Sequence, residues 1–199
     1  MKVYFATTNQ GKVQSLKRDL KGYNISIIQR SIDLIEPRSS DVQEIAQSKI
    51  LQAYAQIKKP TVVIDAGFYI DELNGFPRAF VNFSLETIGL EGMLKLVQDK
   101  KRGCEFRECL AYMDQTLNEP KYFLTNVRGK LADSPRGKMQ KHLWSKLSLI
   151  FIPEGNKRTL AEMSYKEYLE WEKILIEKNS LGQKLYDFLS ASRDSKELK

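Results

Sequence analysis

The chain has no apolar run long enough to cross a membrane and only two cysteines among its 199 residues. A membrane helix needs about 20 consecutive apolar residues, so no membrane partner is expected. Cys104 and Cys109 lie five apart on a predicted strand, where they face opposite sides and cannot readily pair. The chain opens on a strand pattern and lacks the charged and apolar segments of a signal peptide. These features predict a cytoplasmic protein with reduced thiols.

The chain also lacks a basic stripe with interleaved aromatic residues, the pattern typical of surfaces that bind nucleic-acid strands. Its formal net charge of +7 is spread along the sequence. A stable nucleic-acid partner is therefore not expected. The positive balance would instead raise the local concentration of anions, including nucleotides.

The length of the chain favours a single domain, residues 1–199, with a substantial core. Apolar patterns predict alternating strands and helices in the first third, a β-α-β-α-β order that favours an α/β sheet. A hairpin loop at 114–120 predicts an antiparallel pair of strands. The predicted strands are 2–7, 25–29, 61–67, 104–113, 121–127 and 147–153, and the predicted helices are 12–23, 41–58, 80–88, 91–100 and 164–192, the last with a break near 179–182.

The stretch "ATTNQGKVQSL", residues 6–16, lies where the first strand passes into the first helix. Helix-start amides, the hydroxyls of Thr7 and Thr8, and the ammonium of Lys12 together could bind phosphate. Alternatively, Asn9 only caps the helix and Lys12 is solvated. The glycine-rich Walker pattern, which would favour the phosphate site, is absent, so both interpretations stay open.

Three further charged residues are candidates for chemistry. "VVIDAGF" places Asp65 at the predicted end of a buried strand, where it could hold a magnesium ion or activate water. The alternative is a turn residue, because Asp-Ala-Gly is turn-like. Glu44 and Lys49 lie on the 41–58 helix, about 140° apart, and both are expected in solvent unless they share a cleft with Asp65.

These residues belong to five sequence motifs that follow one another along the chain. They are Thr7-x-Asn9-x-x-Lys12, Glu44 with Lys49, "DAGFYIDELNGFP" at 65–77, "GKLADSPRG" at 129–137 and "FIPEGNKRTLAEMS" at 151–164. Together they resemble the inosine triphosphate pyrophosphatase family, enzymes that hydrolyse deaminated purine nucleoside triphosphates. The match keeps the order and approximate spacing of the motifs over nearly the whole chain.

The resemblance implies an α/β fold with a strongly twisted mixed β-sheet flanked by helices, two lobes with a central cleft, and a homodimer. It implies Mg²⁺ as cofactor, held by Glu44 and Asp65, with Asp65 also the general base. The implied substrate-binding residues are Thr7, Thr8, Asn9, Lys12, Lys49, Ala66 and Trp144.

The chain departs from this family at three places. Ile64 stands where the family often has a second acid. Trp144-Ser145-Lys146-Leu147 replaces the base-holding Phe-Gly-Tyr-Asp, and Trp144 could still stack on a base. The Ser-His-Arg reader of the purine is missing, and Asn179-Ser180-Leu181 is its nearest counterpart. The single histidine, His142, is expected at the surface.

The sequence thus predicts a magnesium-dependent nucleoside triphosphate pyrophosphatase that forms a monophosphate and pyrophosphate. The alternative is a nucleotide-binding protein of the same fold that has lost turnover. With few of the family's base readers left, the preference for inosine over adenosine triphosphate should be weak or redirected.

Overall fold

A computed structural model describes the backbone of residues 1–197 and the side chains of residues 1–191. It contains one mixed sheet of seven strands with helices packed against it. The predicted α/β class and the mixed sheet are confirmed. Of the helices described, none is long and apolar enough to span a membrane.

The first third of the chain has the predicted β-α-β-α-β order. Its elements are β1 (Lys2–Ala6), α1 (Gln10–Asp19), β2 (Ser26–Arg30), α2 (Val42–Ile57) and β3 (Thr61–Ile70). Strand β1 pairs in parallel with both β2 and β3. This arrangement places the start of α1 at the carboxyl ends of parallel strands, the edge where open α/β sheets bind ligands.

The rest of the sheet is antiparallel. The strands and helices of this part of the chain are β4 (Pro77–Arg78), α3 (Val81–Thr87), α4 (Gly89–Leu96), β5 (Gly103–Met113), β6 (Lys121–Leu131), β7 (Phe151–Pro153), α5 (Tyr165–Asn179) and α6 (Leu181–Glu197). The strand order is β2-β1-β3-β5-β6-β7, and β4 pairs with β3. The predicted hairpin and the break between the last two helices are confirmed. The predicted strand 147–153 is shorter, because residues 146–149 form a 3-10 turn.

The prediction that strand β3 spans 61–67, with Asp65 at its end, is wrong. The strand runs to Ile70, since residues 61–70 all pair antiparallel with β5, Ala66 opposite Glu108 among them. The Asp-Ala-Gly sequence is therefore extended backbone inside a ladder and not a turn. Asp65 projects from the middle of a buried central strand, which fixes its position more firmly than a loop would.

Alternation along β3 sends neighbouring side chains to opposite faces of the sheet. Ile64 packs in an apolar cluster with Val13 and Leu16 of α1, whereas Val63 packs in a cluster with Ile50 of α2. Asp65 therefore projects from the α2 face. The predicted separation of the cysteines is also confirmed, because both are free, buried and in different clusters.

Candidate active site

A cleft of about 450 Å³ opens between the start of α1, β3 and α2 on one side and α3 with the 144–146 segment on the other. Among the predicted site residues, those that line it are Asn9, Lys12, Lys49, Asp65, Ala66 and Trp144. The fold thus brings together predicted residues from four separate segments of the chain.

The charged centre of the cleft is the ammonium of Lys49. Its Nζ atom donates to Asp65 Oδ2 at 3.0 Å and to Glu36 Oε1 at 2.8 Å. Burial alone would lower the pKa of Lys49, but the two carboxylates together raise it above its ordinary value. The other oxygen of Asp65 accepts the amide N–H of Ala66 at 2.8 Å. Asp65 is thereby held in one orientation at the cleft wall.

A second ammonium group lies nearby. Lys12 Nζ donates to the carbonyl oxygen of Ile64 at 3.0 Å, so the lysine reaches from α1 across to β3. Burial lowers the pKa of Lys12, although the carboxylate of Asp65 opposes the shift. A bound phosphate would favour the charged form of this lysine, because a nearby opposite charge offsets the cost of burial.

The "TTNQGK" turn serves as a cap and also faces the cleft. Asn9 Oδ1 accepts the amide N–H of Lys12 at 3.1 Å, and Thr7 Oγ1 accepts the N–H of Asn9 at 3.1 Å. The capping interpretation is therefore confirmed for Asn9, which nevertheless lines the cleft. Within the described part of the chain, Thr7 and Thr8 are not among the lining residues, so no direct phosphate contact is assigned to them.

Gly11 makes room for the aromatic wall of the cleft. A Cβ atom at position 11 would meet Trp144 Cβ at 2.7 Å, so only glycine lets Trp144 lie over the first turn of α1. The indole is 37% exposed, and its ring centroid is 5.6 Å from that of Phe106. A half-open aromatic face of this kind is available to stack on a nucleobase.

The position of Glu44 does not support its predicted metal role. Glu44 is exposed, accepts a hydrogen bond from Ser39 Oγ at 2.7 Å, and does not line the cleft as the described residues form it. Glu36, from the loop before α2, lines the cleft instead. Gln52 of α2 holds the loop there, because its amide bonds both the N–H and the carbonyl of Ile35.

The departure at Ile64 has a structural consequence. The Ile64 side chain is 7% exposed and belongs to the apolar cluster beneath α1, so it supplies no metal ligand. No group of three or more His, Cys, Asp or Glu residues suited to a metal occurs within the described residues. Glu36 and Asp65 nonetheless converge on one cationic point, now held by Lys49. Their oxygens are the hard donors that a divalent cation such as magnesium accepts, with water and phosphate completing its shell.

A second pocket adjoins the cleft and shares with it the wall formed by Phe106, Trp144 and Ser145. Aromatic side chains of α5 line its far side, and the segment predicted to replace Ser-His-Arg lies in it. Lining residues of these kinds are Tyr168, Trp171, Asn179, Ser180 and Leu181. The pocket is therefore placed to receive a base whose phosphates lie in the cleft.

The single histidine, expected at the surface, is half-buried. The His142 ring lies between Tyr165 and Tyr168, at centroid distances of 5.0 and 4.6 Å. Its Nε2 atom is buried and has no hydrogen-bond partner within the described residues. Burial lowers the pKa of His142, and the charge of Arg18 adds to this effect.

Residues 3–172 match the sequence profile of the Ham1 family. The chain belongs to this family. The dITP/XTP pyrophosphatase of Saccharolobus solfataricus is 36% identical to it over 168 residues, which are 84% of each chain. The enzyme of the same name from Methanopyrus kandleri is 35% identical, over 84% of this chain and 87% of its own.

Solved Ham1 structures share the fold. The Staphylococcus aureus Ham1 protein superposes with a TM-score of 0.74 at 23% identity, over 96% of this chain and all of its own. A HAM1 protein from Coxiella burnetii gives 0.75 at 22% identity, over 96% and 99% of the two chains. At such identities the likeness concerns the fold alone.

Sequence reasoning missed two acids that the Ham1 fold brings to the site. Glu36 gave no signal, because it lies in a loop without periodicity. Glu108 had no signal that set it apart, because Glu105 and Arg107 are also charged in the same strand, "CEFRECLAYM". Its position opposite Ala66 puts it beside the cleft, in the lining of the second pocket.

Proposed function

We propose that the chain is a nucleoside triphosphate pyrophosphatase, which cleaves between the α and β phosphates and releases a monophosphate and pyrophosphate. The observation that carries the proposal is the convergence of Lys12, Lys49, Asp65 and Glu36 in one cleft. The names of its Ham1 relatives, dITP/XTP pyrophosphatases, support the same reaction. Its expected cytoplasmic location and homodimeric state remain predictions.

In the proposed reaction Asp65 accepts a proton from the water that attacks phosphorus. Its carboxylate is anchored by Ala66 and Lys49, so it is oriented before substrate arrives. Lys12 and Lys49 bind the phosphate chain and offset the negative charge that develops in the transition state. Both ammonium groups have only hydrogen-bond donors, which suits phosphate oxygens.

The residues that would hold Mg²⁺ are Glu36 and Asp65, with Glu36 in place of the predicted Glu44. Bound there, the ion would supply further charge neutralisation at the phosphates. Lys49 would then turn from the two carboxylates towards the phosphate chain. The base would enter the second pocket, where the indole of Trp144, in the shared wall, stacks on it.

The test measures pyrophosphate release from a panel of purine and pyrimidine nucleoside triphosphates, with Mg²⁺ and with a chelator. We expect Mg²⁺-dependent release from at least one of them, with the monophosphate as the second product. Nucleotide binding without release would support the alternative, a binding protein that has lost turnover. Release of single phosphates would contradict the cleavage position.

A further inference from the structure

The pocket beside the cleft contains three carboxylates, and two of them are engaged by the protein. Asp19 accepts hydrogen bonds from Ser180 Oγ at 2.9 Å and from the Gly182 amide at 3.1 Å, and so fixes the start of α6. Glu172 accepts two bonds from Arg18, at 2.5 and 2.7 Å, which tie α5 to α1. Both acids therefore have structural roles.

Glu108 is different. It projects from the central strand β5 and is half-buried. Its backbone pairs within the sheet, but its side chain forms no hydrogen bond or ion pair with any other described residue. Burial raises its pKa to about 6, although Lys12 opposes the shift and Asp19 adds to it. A partly buried carboxylate without a partner costs stability, and a ligand that donates hydrogen bonds would remove that cost.

The surroundings of Glu108 suit a planar ligand. Phe106, Trp144, Tyr168 and Trp171 line the same pocket, and Phe106 and Trp144 also face the cleft where the phosphates are proposed to bind. Proteins usually recognise a base that is not in a nucleic-acid duplex by stacking on its face and by hydrogen bonds to its edge. Glu108 is the group in this pocket that is free to form the edge contact among the described acids.

We propose that Glu108 determines base specificity and that it selects purines with an exocyclic amino group, guanine or adenine, over hypoxanthine and xanthine. The inference rests on the proposed function, because it assumes that the phosphates occupy the cleft. An ionised carboxylate has acceptors only, so it accepts hydrogen bonds from amino N–H groups and repels oxo groups at the same place. Hypoxanthine and xanthine retain a ring N–H that can donate one bond, but they have a hydrogen or an oxo group where guanine or adenine has its amino group. This preference is the reverse of the one in the names of the two archaeal relatives.

The experiment measures binding rather than turnover. The ligands are the α,β-methylene triphosphates of guanosine, adenosine, inosine and xanthosine, which cannot be cleaved between the α and β phosphates. Affinities are measured by calorimetry with Mg²⁺ at pH 8, where Glu108 is ionised. We expect at least one amino purine to bind about tenfold or more tightly than inosine, and xanthosine to bind most weakly.

The variant Glu108→Gln should bring all four affinities to within about threefold of one another, because an amide both donates and accepts. The matched control is Glu86→Gln, which removes the same charge at the exposed α3 rim of the phosphate cleft. Any change in affinity should be the same factor for all four analogues, so their ratios should stay as in the parent. Thermal melting of both variants checks that they are folded.

Inosine binding as tightly as both amino purines would overturn the proposal, and so would unchanged ratios in Glu108→Gln. Failure of all four analogues to bind would overturn both the proposal and its basis. A parallel assay of pyrophosphate release from the four natural triphosphates separates the two levels. Selective binding without release of pyrophosphate would contradict the proposed function but would still support the role of Glu108.

Discussion

The cleft around Asp65 and the pocket around Glu108 share one wall, but they treat charge differently. In the cleft the charged groups satisfy one another, since Lys49 bridges Asp65 and Glu36 and Lys12 binds the Ile64 carbonyl. In the pocket Glu108 has no partner among the described residues. The phosphate chain is the same in every nucleoside triphosphate, whereas the base differs. The departures from the family motifs lie mainly on the base side, so the two halves can be tested separately.

The largest effect is expected from Asp65→Asn, which should lower kcat by about 10²–10⁴-fold, because an amide cannot accept the proton. The measurement is pyrophosphate release at saturating substrate, together with a melting curve. Asp71→Asn is the matched control, since Asp71 follows β3 but pairs with Arg128 outside the cleft. Turnover of the Asp65 variant at the parent rate would remove Asp65 from the reaction.

Next, Glu36→Gln should raise the Mg²⁺ concentration for half-maximal activity by about tenfold, because one charged oxygen ligand is lost. Glu44→Gln removes the same charge from a residue outside the cleft and should leave the magnesium requirement unchanged. A titration of activity with Mg²⁺ compares the two variants. An effect in Glu44→Gln alone would restore the original assignment from sequence.

Lys12→Ala and Lys49→Ala should each weaken triphosphate binding by about tenfold or more, because charge-assisted hydrogen bonds to phosphate are lost. Monophosphate binding should change less, since the lysines are proposed to bind the β and γ phosphates, which a monophosphate lacks. Affinities for uncleavable triphosphate and for monophosphate provide the comparison. Lys17→Ala, an exposed lysine on the same helix, serves as control. Equal losses for both ligands would mean that the lysines bind the α phosphate, which both ligands share.

Trp144→Ala should weaken all bases alike, by about 1–3 kcal/mol, because stacking does not distinguish among them. Trp144→Phe keeps an aromatic ring and should recover most of the loss. Binding of the four purine analogues measures both. A loss confined to one base would show that the indole contacts a base edge. Base selection could then not be assigned to Glu108 alone.

The smallest effect concerns stability. The folded-state pKa of Glu108 is about 6, above its ordinary 4.5, so this group favours folding below pH 4.5, and that contribution is lost as pH rises through 6. Glu108→Gln has no charge at any pH. It should therefore be more stable than the parent at pH 8, by about 1–2 kcal/mol, and no more stable at pH 4. Denaturant unfolding at both values measures the difference. A destabilised variant at pH 8 would mean that Glu108 has a protein partner.

Most of the secondary structure could be predicted, because long amphipathic helices and buried strands have clear periodicity. The hairpin of β5 and β6 and the break between α5 and α6 are examples. The end of β3 could not be predicted, since Asp-Ala-Gly is favourable in a turn and only pairing with β5 holds it extended. At the site, the motifs predicted Lys12, Lys49 and Asp65, which the fold brings into one cleft from α1, α2 and the middle of β3. They predicted Glu44 as the second acid, whereas Glu36 is the second acid that lines the cleft beside Asp65 and Lys49.

The sequence by itself determined which groups are available: two lysines, an acid on a buried strand, a glycine in the first turn of a helix and a tryptophan. It also determined the family, because five motifs keep their order and spacing. Only the tertiary structure decided that Glu36 enters the cleft, since the Gln52 amide holds its loop against α2. It likewise decided that Trp144 lies over Gly11 and that Glu108 remains unpaired beside aromatic rings. Such contacts join residues far apart in the chain, and no local pattern specifies them.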